Sequence, residues 1–155
     1  MLIRRPNLDE VGPIIALFAD EVRAGRMLPR RAENIRNNLM DWWVAIDDGR
    51  VVGCASLVYF GWGLCEVRSL AVDATCRGQG IGSRLIEATL SSARAQGMRR
   101  VLTLTRAVGL FERAGFMRRA VSDFPEKVWR DCELCPMRQR CDEVALVYDV
   151  QHDED

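Results

Sequence analysis

Glu66-Val67-Arg68-Ser69-Leu70-Ala71-Val72-Asp73-Ala74-Thr75-Cys76-Arg77-Gly78-Gln79-Gly80-Ile81-Gly82-Ser83 decides the reading of this chain. Its first seven residues, Glu66 to Val72, have the β-rich composition of a strand. Gly78, Gly80 and Gly82 then alternate with other residues in a loop. From Ser83 to Gln96 the apolar residues Leu85, Ile86, Leu90 and Ala93 recur at helical spacing, and Gly97 caps the helix. A strand that turns through glycines into a helix gathers successive backbone N–H groups at the helix N-terminus. That makes a concave positive site suited to phosphate. Glycine permits an approach that a Cβ would obstruct, and Arg77 adds a cation at the rim. A Walker A loop requires Gly-Lys-Ser/Thr, which is missing. A dinucleotide fingerprint requires G-x-G-x-x-G and an acidic residue ending the next strand. Here the loop reads G-x-G-x-G and the next strand ends Leu104-Thr105. The plain alternative is an ordinary strand-to-helix connection; three alternating glycines beside an arginine favour a pyrophosphate-bearing ligand.

Working outward, Leu2 to Arg5 reads as a strand. Asn7 and Glu10 have capping-box spacing, and Val11, Ile14, Ile15, Phe18 and Val22 then mark a helix ending near Gly25. After Leu28-Pro29-Arg30 a shorter helix is expected over Ala32 to Met40. Trp43 to Ile46 and Val51 to Leu57 are strands joined by the hairpin signal Asp47-Asp48-Gly49-Arg50. Beyond the glycine loop come a strand over Val101 to Thr105, a short helix over Leu110 to Ala114 closed by Gly115, and a last strand over Val144 to Val150. The order β-α-α-β-β-β-α-β-α-β predicts a mixed α/β sheet.

The chain has 155 residues, 48% of them apolar, so one domain over residues 1–150 with an acidic tail at 151–155 is expected. Twenty-two cations balance twenty-two carboxylates. A neutral chain lacks the broad positive field that holds nucleic acid or an anionic membrane. The N-terminus shows no apolar signal region, and no uncharged apolar run approaches the ~18–20 residues of a membrane helix. A cytoplasmic protein is expected, with Cys54, Cys65 and Cys76 reduced. Lys127 is the only lysine among the twenty-two cations, so bound carboxylates are expected to meet guanidinium forks.

Arg77-Gly-Gln-Gly80-Ile-Gly82 resembles the R-x-x-G-x-G motif of the GNAT family of N-acetyltransferases, and Leu110-Phe-Glu-Arg-Ala-Gly115-Phe116 resembles that family's second signature. Leu28-Pro29-Arg30, Glu66 to Val72, Leu104-Thr105 and Pro125 to Cys132 look like the acetyltransferase domain of N-acetylglutamate synthases, especially their short bacterial form. The resemblance implies a mixed, mostly antiparallel sheet flanked by helices and splayed at its central strands to admit acetyl-CoA. It implies acetyl transfer to the α-amine of L-glutamate, the first step of arginine biosynthesis, by direct attack. The alternatives are another small amine such as glutamine, or a module that senses acyl-CoA or metal without turnover. A homodimer is compatible with the resemblance.

The same resemblance implies the site. Leu70, Ala71 and Val72 supply backbone N–H to the thioester oxygen; Arg77, Gly78, Gln79, Gly80, Ile81, Gly82 and Ser83 cradle the pyrophosphate. Glu66 is the candidate base, its alternative being an ion pair with Arg68. Many family members protonate the departing thiolate with a tyrosine where this chain has Phe111. Thr105 can supply a hydrogen bond instead, or be a β-branched strand end, and a thiolate of pKa about 8.5 leaves with little help. Arg30 and Arg140 match arginines that hold substrate carboxylates, with Arg68, Ser69 and Lys127 as further candidates. No metal is expected. Cys132-x-x-Cys135 with Cys141 is half of a zinc pattern, for which Asp142, His152 or Cys65 is a conceivable fourth ligand. Without a second ligand pair, cysteines packed beneath Trp129 and Pro136 are the favoured reading, and a redox-sensitive disulfide is the other.

Overall fold

A computed structural model describes residues 1–25, 27, 29–120 and 143–150. They form a seven-stranded mixed sheet in the order β1-β2-β3-β4-β5-β7-β6. The strands are β1 (Leu2–Arg4), β2 (Trp42–Asp47), β3 (Arg50–Gly61), β4 (Leu64–Val72), β5 (Arg100–Thr105), β6 (Met117–Arg119) and β7 (Val144–Asp149). Helices α1 (Val11–Arg23), α2 (Ala32–Asn37), α3 (Ile81–Ala95) and α4 (Val108–Arg113) flank it. Every pairing is antiparallel except β4 with β5. The mixed, mostly antiparallel GNAT-type sheet expected from the sequence is the one observed.

Local chemistry explains the boundaries. The Asn7 N–H donates to Glu10 Oε1 at 2.7 Å, half of the capping box read from the sequence. Glycines close α3 and α4 in the same way. The Met98 N–H reaches Ala93 O at 3.0 Å and Gly97 N–H reaches Arg94 O at 3.1 Å, while Phe116 and Gly115 repeat the pattern on Phe111 O and Glu112 O. These are Schellman closures, with Gly97 at φ +74° and Gly115 at φ +102°.

Most elements shift by a residue or two from expectation, and four differences are larger or bear on the site. The short helix after Arg30 stops at Asn37, where Asn38 leaves helical geometry and a 3-10 turn follows over Leu39–Asp41. Strands β3 and β4 run on to Gly61 and back to Leu64, meeting in a second tight hairpin through Trp62 and Gly63, both at positive φ. Helix α3 begins at Ile81 rather than Ser83, so Gly82 is helical. Three exposed residues, Met117-Arg118-Arg119, form an edge strand.

The sheet buries both faces. On one, α3 covers Trp43, Ala55, Leu57, Cys65, Val67, Val101 and Leu146 with its own Ile81, Leu85, Ile86 and Leu90. On the other, α1 and α2 pack Ile14, Phe18 and Ile35 onto Trp42, Val44 and Cys54. A separate apolar group on that second face joins Leu64, Leu102, Ala145 and Val147.

Candidate functional site

Two strand features build the site. First, β4 and β5 stay paired only from Leu64↔Arg100 to Val67↔Thr103. On their outer sides pairing continues, to Gly53↔Val72 between β3 and β4 and to Thr105↔Val144 between β5 and β7. The two central strands therefore part company beyond Val67 and Thr103, which is the splay the resemblance implied.

Second, β4 carries a bulge where the parting begins. Cys54 pairs with Ala71 but Ser56 pairs with Arg68, so two steps along β3 match three along β4. Ser69 sits at the extra position with φ +56°, a left-handed conformation that favours glycine. Neighbouring side chains hold the distorted backbone. The Ser56 hydroxyl donates to Arg68 O at 3.1 Å and the Cys54 thiol donates to Ser69 O at 3.3 Å. Burial pushes the Cys54 thiol up to about 12, so it stays protonated and keeps its donor. Beyond the bulge, Asp73 N–H bonds back to Val52 O at 2.8 Å. Backbone alternation then turns the Val72 N–H the opposite way, into the opening beside β5.

The glycine loop lies at the end of β4. Asp73 caps the 3-10 turn Ala74–Cys76, taking Thr75 N–H at 2.9 Å and Thr75 Oγ1–H at 2.7 Å on one oxygen. Those bonds hold its carboxyl below the usual range. Gly78 and Gly80 follow at φ +82° and +78°, both exposed, and a Cβ on either would project into open space. The first intrahelical bond of α3 runs from Arg84 N–H to Gly80 O at 3.1 Å. The N–H groups of Ile81, Gly82 and Ser83 therefore lack an acceptor within the helix and present its positive end. An anion fits this cradle. Gly82 matters for packing instead, because a Cβ there would stand 3.2 Å from Leu110 Cδ2. Its absence lets α3 settle against α4.

On the α1–α2 face of the same strands lie the polar candidates. Glu66, 4% exposed, stands between Val58 on β3 and Leu102 on β5. Arg68 Nε donates to Glu66 Oε1 at 2.7 Å, so the ion pair read as the alternative for Glu66 is formed. The Arg68 guanidinium also lies 5.6 Å from the Phe60 ring centroid. Burial, with the nearby Glu66 charge, pushes the Cys65 thiol up to about 12. Arg30 reaches the bulge from the segment between α1 and α2, its Nε donating to Ser69 Oγ at 3.4 Å. Thr105 Oγ1, at the parted end of β5, accepts the Ala107 N–H at 2.9 Å, which leaves its own hydrogen to donate. Phe111 is 1% exposed and packs edge-to-face on Phe116 with ring centroids 5.1 Å apart, so it belongs to the core.

The fold places Glu66, Arg68, Ser69, Leu70, Ala71 and Val72 along β4, the Arg77–Ser83 loop beyond its end, Thr105 at the parted end of β5, and Arg30 against the bulge. Lys127, Arg140, Cys132, Cys135 and Cys141 lie outside the described residues. Among the described residues no cluster of three or more His, Cys, Asp or Glu is arranged to hold a metal, and no helix is long and apolar enough to cross a membrane. Cys54 and Ser56, the props of the bulge, carry no motif that marks them as part of the site. The signal of the bulge itself was present as a change of phase. Cys65 and Val67 face α3, and so do Leu70 and Val72, which an uninterrupted strand cannot arrange.

Comparison with known proteins agrees with the architecture. The acetyltransferase (GNAT) family model matches residues 12–116. An uncharacterized N-acetyltransferase of Chlorobaculum tepidum is 37% identical over 145 residues, 94% of each chain. An amino-acid acetyltransferase of Mycobacterium tuberculosis is 31% identical over 118 residues, 74% of this chain and 67% of that one. The crystal structure of N-acetylglutamate synthase from Neisseria gonorrhoeae, complexed with coenzyme A and N-acetyl-glutamate, superposes with a TM-score of 0.86 at 25% identity. That match covers 97% of this chain but 35% of the synthase. From the motif, the sheet and these relatives it follows that the chain belongs to the acetyltransferase (GNAT) family, as an N-acetyltransferase whose co-substrate is acetyl-CoA.

Proposed function

We propose that the acetyl acceptor is the α-amine of L-glutamate, which places the chain at the first step of arginine biosynthesis. The observation that carries this reading is Arg30, whose guanidinium is tied to the bulge where the central strands part. Glutamate brings two carboxylates, and planar guanidinium forks recognise carboxylates with charge-assisted bonds. Arg68 is a second cation on the same face, 16% exposed, and Arg140 and Lys127 complete the candidate set. The similarity to amino-acid acetyltransferases supports the assignment.

When bound, acetyl-CoA supplies an activated acyl carbonyl and a thiolate leaving group. The Ile81, Gly82 and Ser83 N–H groups, with Arg77, Gly78, Gln79 and Gly80 around them, hold its pyrophosphate. The Val72 N–H, with Leu70 and Ala71 beside it, is the donor for negative charge developing on the carbonyl oxygen, a contribution that needs no side chain. Glu66 takes the ammonium proton through a water. A carboxylate offers about four lone-pair sites, so its bond to Arg68 leaves capacity for that proton. Thr105 turns its hydroxyl hydrogen toward the departing sulfur.

A thiol-release assay with acetyl-CoA and a panel of free amino acids tests the proposal under reducing conditions. Selective release with L-glutamate is expected. Arg30→Ala is expected to raise the glutamate KM about 10- to 150-fold, the equivalent of losing one hydrogen bond to a charged group. Release with glutamine in place of glutamate keeps the fold and co-substrate and rejects the acceptor. An unchanged KM in Arg30→Ala removes the observation on which the proposal stands.

A further inference from the structure

Ser69 combines three properties that an ordinary strand residue lacks. It occupies the extra position of the bulge, it has φ +56°, and its Oγ is the acceptor for Arg30 Nε at 3.4 Å. A bulge position in the left-handed region is where glycine fits without strain. Serine there costs backbone energy and returns only its hydroxyl. The rest of the surroundings do not demand that hydroxyl: the bulge carbonyls are already satisfied by Ser56 and Cys54. What the hydroxyl adds is one link, from the strand that faces the acyl site to the segment between α1 and α2. Strain held at a site by its surroundings points toward function.

We infer that Ser69 is a positioning residue for the acceptor. Its hydroxyl seats the Arg30 guanidinium over the bulge, so that the acceptor carboxylate is held in register with the backbone N–H groups beyond it. This rests on the acceptor assignment above and deepens it: Ser69 acts through Arg30 rather than on substrate. Ordering a long side chain on binding costs affinity, and the Ser69 contact lowers that cost for Arg30.

The test uses the full chain with Ser69→Gly, Ser69→Ala, Arg30→Ala and the double variant Ser69→Ala/Arg30→Ala. Both Ser69 variants are expected to raise the L-glutamate KM about three- to tenfold, as loss of a single neutral-acceptor bond would. The acetyl-CoA KM should stay within about twofold. Ser69→Gly should melt at or above the wild type, because glycine relieves the left-handed strain while removing the hydroxyl. In the Arg30→Ala background, Ser69→Ala should add no further change in glutamate KM, since coupled residues are not additive. An unchanged glutamate KM in Ser69→Gly overturns the inference, as does an acetyl-CoA KM that rises equally, or full additivity in the double variant. Those outcomes leave the acceptor assignment intact if the wild type turns over glutamate. Wild-type turnover only of amines without a carboxylate overturns both.

Discussion

Gly53→Ala addresses how α3 is seated on the sheet. A Cβ at residue 53 would stand 3.0 Å from Ile81 Cγ2, 3.0 Å from Leu85 Cδ1 and 3.3 Å from Ala71 O. The carbonyl belongs to β4 and is fixed by the sheet, so the helix must give, and it must give between Ile81 and Leu85. Each methyl has to retreat by a few tenths of an ångström to reach ordinary contact. Overpacking of this kind costs about 1–3 kcal/mol. For a chain of 155 residues, that lowers the melting temperature by about 2–12 °C. Because Ile81 also carries one of the three N–H groups at the loop, the acetyl-CoA KM should rise with the loss of stability, and the acceptor KM much less. Gly12→Ala is the control. It lies in α1, and a Cβ there meets nothing within 4 Å. The same chemical change there meets no atom of α3 or the sheet, so the acetyl-CoA KM should stay at the wild-type value. Thermal melting with steady-state kinetics reads both variants. If Gly53→Ala melts with the wild type and keeps its acetyl-CoA KM, the argument that Gly53 sets the position of α3 is wrong.

Three further outcomes are expected. Gly80→Ala forces a Cβ into φ +78° at the N-cap of α3, costing about 1–2 kcal/mol; isothermal titration should show weaker acetyl-CoA binding, and unchanged binding would detach the loop from the co-substrate. Ser56→Ala removes the hydroxyl that donates to Arg68 O, a loss of about 0.5–1.5 kcal/mol, and denaturant titration that finds no change would show that the bulge needs no such prop. The third concerns acid. Arg4, by hydrogen bonding first of all, holds the Glu10 carboxyl below its ordinary value of 4.5. Stability from a depressed carboxyl is fully present above that value and is lost as pH falls through the folded-state one. The melting difference between wild type and Glu10→Gln should therefore be present at neutral pH and shrink below about pH 4.5; a difference that is flat with pH would mean that the ion pair contributes nothing.

The elements legible in the sequence are those written in local code. The Asp47 to Arg50 turn, the capping pair Asn7 and Glu10, the apolar spacing of α1 and α3, and the glycines after α3 and α4 each act on neighbours a few residues away. What was not legible depends on distant partners. Met117-Arg118-Arg119 has no apolar alternation, and it becomes a strand only because Ala145 to Val147 lies beside it. Asn38 ends α2 through a conformation that composition does not announce. The glycine loop was legible from its own residues and Arg30, Glu66 and Thr105 through the resemblance to a family, while their positions on the strands needed the sheet. The bulge shows the boundary between the two kinds of information. Its phase change is in the sequence from Cys65 to Val72, while its supports, Cys54 and Ser56, come from another strand.

The parting of β4 and β5 carries one more consequence. Where two strands separate, each keeps a row of backbone groups without a cross-strand partner, and at the outside of a sheet such rows invite pairing with other molecules. Here, among the described residues, the rows face each other inside the sheet, walled by β3 on one side and β7 on the other. A strand of another chain would have to thread between them, whereas a slender ligand can enter from the open end. The notch thus keeps backbone polarity available for recognition away from the edges of the sheet, which are β1 and β6. Filling the notch should also raise thermal resistance, by about 2.7 kcal/mol when ligand stands at a hundred times its dissociation constant.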